Sequence, residues 1–235
     1  MSADETVGDA SGDEAPTWRE QAVARSLDPA RVRAEARVQR FLDAAIELMA
    51  EDHDKEFTVQ EVVERSGQSL RSFYQYFAGK YELLLALFEE SVRSTAVLLR
   101  TKVDEETEPL ARLECFVTEY YDLCRPLPKG KPPKKVPTQV PAPVMAEFAQ
   151  QLLTGHPKEA SRAYVPLVGL LEELMDEAAA AGKLREGIPH RQIAGIVIQA
   201  ISFTAFSLTI SGTPVREDRD AAKEAWDLVF LGIGA

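Results

Sequence analysis

Between Thr58 and Lys80 the chain starts and stops helix twice in quick succession, and this punctuation limits its folding options more than any other feature. Thr58-Val-Gln-Glu61 forms a capping box, in which the threonine oxygen accepts from the third helical amide and the glutamate reaches back to the cap's own amide. Val59, Val62 and Val63 make the inward face of the short helix that follows. Gly67 stops it by supplying the left-handed conformation that side chains resist. Ser69 then caps a second short helix with Phe73, Tyr76 and Phe77 on its apolar side, and Ala78-Gly79-Lys80 ends that one. Two short helices joined by a glycine turn and braced by longer neighbours describe a helix-turn-helix.

The flanks supply the braces. Asp28-Pro29 places a capping residue before a proline, so a helix is expected from there to about Ala50, with Val38, Phe41, Leu42, Ala45, Leu48 and Met49 as its buried stripe. A long amphipathic helix is expected over about 81–102, and further helices over about 109–124, 143–153, 158–181, 189–211 and 216–231. No run alternates clearly enough to predict a strand. Residues 125–143 hold seven prolines and four lysines, which excludes a packed helix and predicts an extended loop. The basic part of that loop, Lys129–Lys135, reads best as solvated, with a lid or a second DNA-facing strip as the sharper alternatives. The first residues, MSADETVGDASGDEAP, lack large apolar side chains and predict a disordered acidic tail, which we place at 1–24.

A hydrophobic share of 45% and a charged share of 28% suit a folded globular protein, and no apolar leader follows a basic start, so the cytoplasm is the expected compartment. Residues 193–210 carry no charge, but five Ser, Thr and Gln residues dilute the stretch. It reads as a helix buried on two sides, against its own domain and a partner subunit, with no membrane expected. The net charge of −11 argues at first against nucleic acid. Its distribution changes that reading, because 1–24 hold −5, 25–100 only −2 and 101–235 −4. Arg25, Arg31, Arg33, Arg37 and Arg40 face only Asp28 and Glu35, which leaves a local positive patch. No phosphate-cradling glycine loop, nucleophile elbow or paired metal motif is present, so no enzyme, cofactor or metal is expected. His53, His156 and His190 are scattered, and Cys115 and Cys124 are nine apart, on opposite faces of a helix at about 100° per residue.

The segment TVQEVVERSGQSLRSFYQYFAGKYELL, Thr58–Leu84, resembles the DNA-binding signature of the tetracycline-repressor (TetR) family of bacterial regulators. The threonine cap, Gly67, Ser69, Phe73-Tyr74, Tyr76-Phe77, Lys80 and Glu82-Leu83-Leu84 carry the match, and EAAAAGKLREGIPHRQIAG near 177–195 looks like the hinge before the family's last bundle helices. The resemblance implies an all-α protein with an N-terminal three-helix helix-turn-helix DNA-binding domain, here 25–80. A C-terminal helical effector-binding and dimerisation domain, here 81–235, would follow, with the helices at 158–181 and 189–211 pairing between subunits. It implies a ligand-responsive regulator, a repressor by expectation, that binds a palindromic operator as a homodimer. A helical interaction module of the same fold without DNA binding is the alternative.

Chemistry distributes the DNA-facing roles. Arg71 can make a bidentate contact with guanine, Gln75 or Gln68 can read adenine, and Gln60 can reach a base edge. Thr58, Tyr74 and Lys80 match the family's phosphate clamps, and Ser69, Leu70, Ser72 and Tyr76 complete the candidate surface. Gln68 and Arg71 depart from the small residues the family usually carries there. Leu70 is open: helical spacing from Phe73 and Phe77 turns it inward, whereas the family pattern turns it toward DNA.

For the effector, the family's arrangement nominates Phe88, Val92, Phe116, Tyr120, Tyr121, Phe148, Leu152, Tyr164, Leu167 and Phe203 as cavity lining. With few charges among them, the expected effector is a largely apolar small molecule with one or two polar handles, lipid-like or aromatic, and core packing is the plainer role for each.

Overall fold

A computed structural model of the chain describes residues 18–51, 56–124, 143–211 and 220–234. The chain divides into two compact units, Met1–Arg40 and Phe41–Ala235. In the first, helix α1 (Trp18–Glu51) carries exposed Arg31, Arg33, Arg37 and Arg40. The Arg33 Nε donates to the Pro29 carbonyl at 2.9 Å, and Arg31 pairs with Glu35 one turn on at 3.8 Å. Such exposed pairs add little stability.

α1 corrects one expectation. It starts at Trp18, inside the segment read as tail and ahead of the Asp28-Pro29 start signal, and Pro29 lies within it. Arg19, Glu20, Gln21, Ala22, Ala24 and Arg25 are good helix formers, so a helix persists across a proline that removes only one backbone hydrogen bond. The rest of the acidic tail, the proline- and lysine-rich loop up to residue 142, and the 212–214 break all lie outside the described residues.

In the second unit the end of α1 meets two short helices, α2 (Val59–Ser66) and α3 (Leu70–Tyr76). Phe41, Phe73 and Phe77 join them. Phe41 and Phe73 are fully buried and meet edge to face at 5.4 Å, and Phe77 lies 6.1 Å from the first ring and 5.3 Å from the second. At the open side, Arg65 at the end of α2 grips both oxygens of Glu51 at the end of α1, at 2.8 and 2.7 Å. That hydrogen-bonded pair holds the Glu51 carboxyl below its usual range and pushes the guanidinium up.

The remaining helices are α4 (Lys80–Val103), α5 (Pro109–Cys124), α6 (Pro143–Gly155), α7 (Pro157–Ala180), α8 (His190–Ser211) and α9 (Ala221–Ile233). Among the described residues there is no strand, only one isolated bridge, between Leu184 and Gly234. α4 packs on α5, α6 and α7, α8 on α5, α6 and α7, and α9 on α5. Leu99, Leu113, Phe116, Val117, Leu167, Leu171 and Leu174 form the centre of this bundle. Arg112 of α5, largely buried, donates to Glu177 of α7 at 2.9 Å, to Asp104 at 3.0 Å and to the Val103 carbonyl at 3.0 Å. It thereby closes the carboxyl end of α4 against its neighbours.

α8 is long and apolar enough to cross a membrane by length and composition. In the fold it buries one stripe, Ala194, Val197, Ile198, Ile201, Ser202 and Ala205, within the bundle. Its other side leaves Ile196, Phe203 and Ile210 exposed, spaced by sevens as in a helix-pairing seam. The aromatic cluster gives the first testable outcome: Phe73→Ala should cost about 3–5 kcal/mol, read as a lowered denaturant midpoint with the bundle helices still formed.

Candidate functional site

Three caps set the position of α3 and of the helices on either side of it. Thr58 Oγ1 accepts from the Glu61 amide at 3.2 Å, and Glu61 Oε2 accepts from the Thr58 amide at 2.7 Å and from its hydroxyl at 2.9 Å. Gly67, at φ 63°, ends α2, and the amides of Gly67 and Gln68 return to the carbonyls of Glu64 and Val63. Only glycine takes that backbone geometry without strain. Ser69 Oγ accepts from the Ser72 amide at 3.1 Å and opens α3. α4 lacks a capping side chain at Gly79, and Glu82 instead reaches back to the Ala78 amide at 2.7 Å.

The result is a short helix fixed at both ends with one side free. Ser69, Leu70, Arg71, Tyr74 and Gln75 are exposed on it, and Thr58 and Gln60 are exposed at the start of α2. Leu70 is 43% exposed and so turns outward. It is the first residue past the cap, and Cβ bonds in a helix tilt toward its amino end, which carries this side chain beyond the Phe73 core. Tyr74 is 57% exposed while its ring edge meets Phe73 at 5.5 Å. Gln68, Ser72 and Tyr76 are partly buried, between the free side and the core. Gln60 is engaged with Glu64 at 2.9 Å.

Lys80 is held more firmly than its sequence suggests. Its Nζ lies 3.0 Å from Glu56 Oε2 and 4.8 Å above the ring of buried Phe57. Sequence reasoning missed both partners. A signal was present, because Phe57 stands just before the Thr58 cap and buried Val62 four residues after it, the positions of a hydrophobic staple.

The nominated cavity residues separate. Phe88, Val92, Phe116, Tyr120, Phe148, Leu152, Tyr164 and Leu167 are buried in the bundle, Tyr121 is partly buried, and Phe203 is 55% exposed. An open groove of about 680 Å³ runs between α6, α7 and α8, walled by apolar Leu153, Val165, Ile196 and Ala200 and by polar Thr154, Ser161, Arg191 and Gln199, and of the nominated residues Tyr164 and Phe203 reach it. Aromatic rings connect the interior to the foot of α4: Tyr164 meets Phe88 at 5.5 Å, Phe88 meets Phe148 at 6.5 Å, and Phe148 meets Tyr81 at 5.4 Å. Among the described residues no group of three or more His, Cys, Asp or Glu side chains is placed to hold a metal ion, and Cys115 and Cys124 are free thiols.

Residues 41–87, from the Phe41 anchor through α2 and α3 into α4, match the family of bacterial regulatory proteins described as tetR. That segment is the family's DNA-binding region, and the chain carries it. The fatty acid metabolism regulator protein of Bacillus subtilis is 22% identical over 167 residues, 70% of this chain and 79% of that protein. FadR of Bacillus subtilis, solved in complex with stearoyl-CoA, superposes with a TM-score of 0.61 at 18% identity, covering 83% of this chain and 98% of that one. FadR of Thermus thermophilus, a repressor solved with lauroyl-CoA, gives 0.58 at 18% identity, with 83% and 93% covered. These structural likenesses are likenesses of fold. The chain therefore carries a helix-turn-helix of that family's kind ahead of a helical bundle.

The capping box is directly testable. Thr58→Ala should cost about 1 kcal/mol and Thr58→Ser much less, measured by urea unfolding, since serine restores the acceptor.

Proposed function

We propose that this regulator is a ligand-responsive repressor that binds a palindromic operator as a homodimer and releases it when a largely apolar small molecule enters the bundle. The observation that carries this reading is α3: short, capped by Ser69, anchored by Phe73, and free on the side that bears Leu70, Arg71, Tyr74 and Gln75. A helix so held inserts its first residues into the major groove. In this reading residues 25–80 bind DNA and 81–235 bind effector and partner, in the cytoplasm and without a membrane or cofactor.

The roles follow from reach and charge. Exposed Arg71 reads guanine, Gln75 reads adenine, and Tyr74, Thr58 and Lys80 hold phosphates, with Gln60, Gln68, Ser69, Leu70, Ser72 and Tyr76 completing the surface. For Lys80 a phosphate would take the place of Glu56. The exposed arginines of α1 add affinity without sequence preference, against the field of an acidic protein.

Two features support the rest. Ile196, Phe203 and Ile210 form an apolar seam on α8 that a second copy of α7 and α8 would cover in a four-helix bundle. The run of rings from Tyr164 through Phe88 and Phe148 to Tyr81, the residue after Lys80, offers a contiguous path by which a molecule among them would shift the foot of α4. Fatty acyl-CoA esters are the first effector class to test, because two proteins of the same fold were solved with them and the nominated lining is apolar.

Fragmented genomic DNA retained by the purified protein over excess competitor should be enriched in one palindromic site, and lauroyl-CoA should release it. Absence of enrichment from an effector-free dimeric sample would refute the reading. Arg71→Ala should cost about 1–3 kcal/mol on the operator and relax its sequence preference, while Lys80→Ala should weaken all sequences alike and lower the salt slope by about 1. Sedimentation at micromolar concentration should show a dimer, and a stable monomer would remove the pairing.

A further inference from the structure

Where α5, α7 and α8 meet, four polar side chains share an otherwise apolar interior. The Tyr120 hydroxyl and Ser202 Oγ lie 2.5 Å apart, and Ser202 is buried. Cys124, the last residue of α5, is near the Tyr120 hydroxyl, and burial pushes its thiol up to about 12 while the hydrogen bond to Tyr120 opposes that shift. Tyr164 approaches from α7. Its hydroxyl is enclosed and without a hydrogen bond of good geometry: Ser202 is near enough to influence it, but the Ser202 oxygen is engaged by Tyr120.

An enclosed hydroxyl without a partner is less stable than one that is paired, so its retention asks for an explanation. Phenylalanine would fill the same space without that loss. Tyr164 also lines the groove between α6, α7 and α8, so the unpaired donor belongs to a residue that borders the volume an apolar chain would fill. Electrostatics narrows what the donor can take. Burial dominates at Tyr120, Cys124 and Tyr164 and raises all three, and the remaining influences come from the cluster itself, with no lysine, arginine or histidine among them; Arg191, on the groove wall, is paired with Glu172 at 2.9 Å. An ionised carboxylate placed there would be desolvated without a counter-charge, whereas a carbonyl oxygen needs only a donor.

We infer that Tyr164, with Ser202 and Tyr120 behind it, is the polar end of the effector site and donates to the neutral carbonyl oxygen of an acyl ester, thioester or amide whose chain is apolar. This rests on the effector reading above and adds to it the required group and the residue that recognises it. A free fatty acid, ionised at neutral pH, is the ligand it rejects.

Atom-matched probes test it by titration into the full-length protein. Lauroyl-CoA should bind at least tenfold more tightly than S-dodecyl-CoA, which keeps every group except the carbonyl oxygen, and methyl decanoate should bind at least tenfold more tightly than decanoate. Preference in both pairs supports a carbonyl site, and preference in the CoA pair alone narrows it to thioesters. Tyr164→Phe should erase the preference, with an unfolding midpoint equal to or above the parent's showing that the bundle is intact. Equal binding within both pairs, or a preference that survives Tyr164→Phe, overturns the inference while the acyl effector stands. If no acyl probe binds a protein that still retains its operator, the acyl effector falls as well.

Discussion

The edge-to-face packing of Phe41 against Phe73, with Phe77 closing the other side, is the contact on which the rest depends. α2 and α3 are only eight and seven residues long, far below the length at which a helix holds together in water on its own. Their order is borrowed from α1, through these rings and the valines of α2. Because Phe73 looks inward, Leu70, Arg71, Tyr74 and Gln75 look outward. The free surface of α3 is therefore a by-product of core packing: the same three rings that stabilise α2 and α3 set the rotation of α3.

Most of this arrangement was legible because it is local. Thr58 with Glu61, Gly67, and Ser69 with Ser72 are close enough in sequence for type and spacing to fix geometry, and the structure shows each cap in place. The bounds of α5 follow from Pro109 and Cys124 in the same way. Pro29 misled for a physical reason, since a start signal is only a preference and the helix formers before it outweighed it. Contacts between distant segments stayed hidden: the Arg65 grip on Glu51, the Glu56 and Phe57 partners of Lys80, and Arg112 at the junction of α4, α5 and α7. Charge in the sequence says that such residues exist, not which opposite charge lies within reach.

The nominated cavity residues show the same limit from another side. Phe88, Phe148 and Tyr164 are apolar or amphipathic side chains on helical faces, and that pattern suits a packed core as well as a cavity wall. What distinguishes Tyr164 is not its type but its hydroxyl, enclosed beside Ser202 and left without a partner. That observation requires coordinates. Leu70 was settled similarly, because a residue at the first turn can obey the helical period and still project past the core it belongs to.

The seam of Ile196, Phe203 and Ile210 on α8 has a consequence for how such a protein behaves when scarce. The pairing proposed through it would tie folding to mass action, so that each tenfold dilution would withdraw about 1.4 kcal/mol of the stabilisation that association supplies. A regulator present in few copies per cell would then hold its reading helices with less reserve than the same chain at laboratory concentration, and its own abundance would enter the strength of its control.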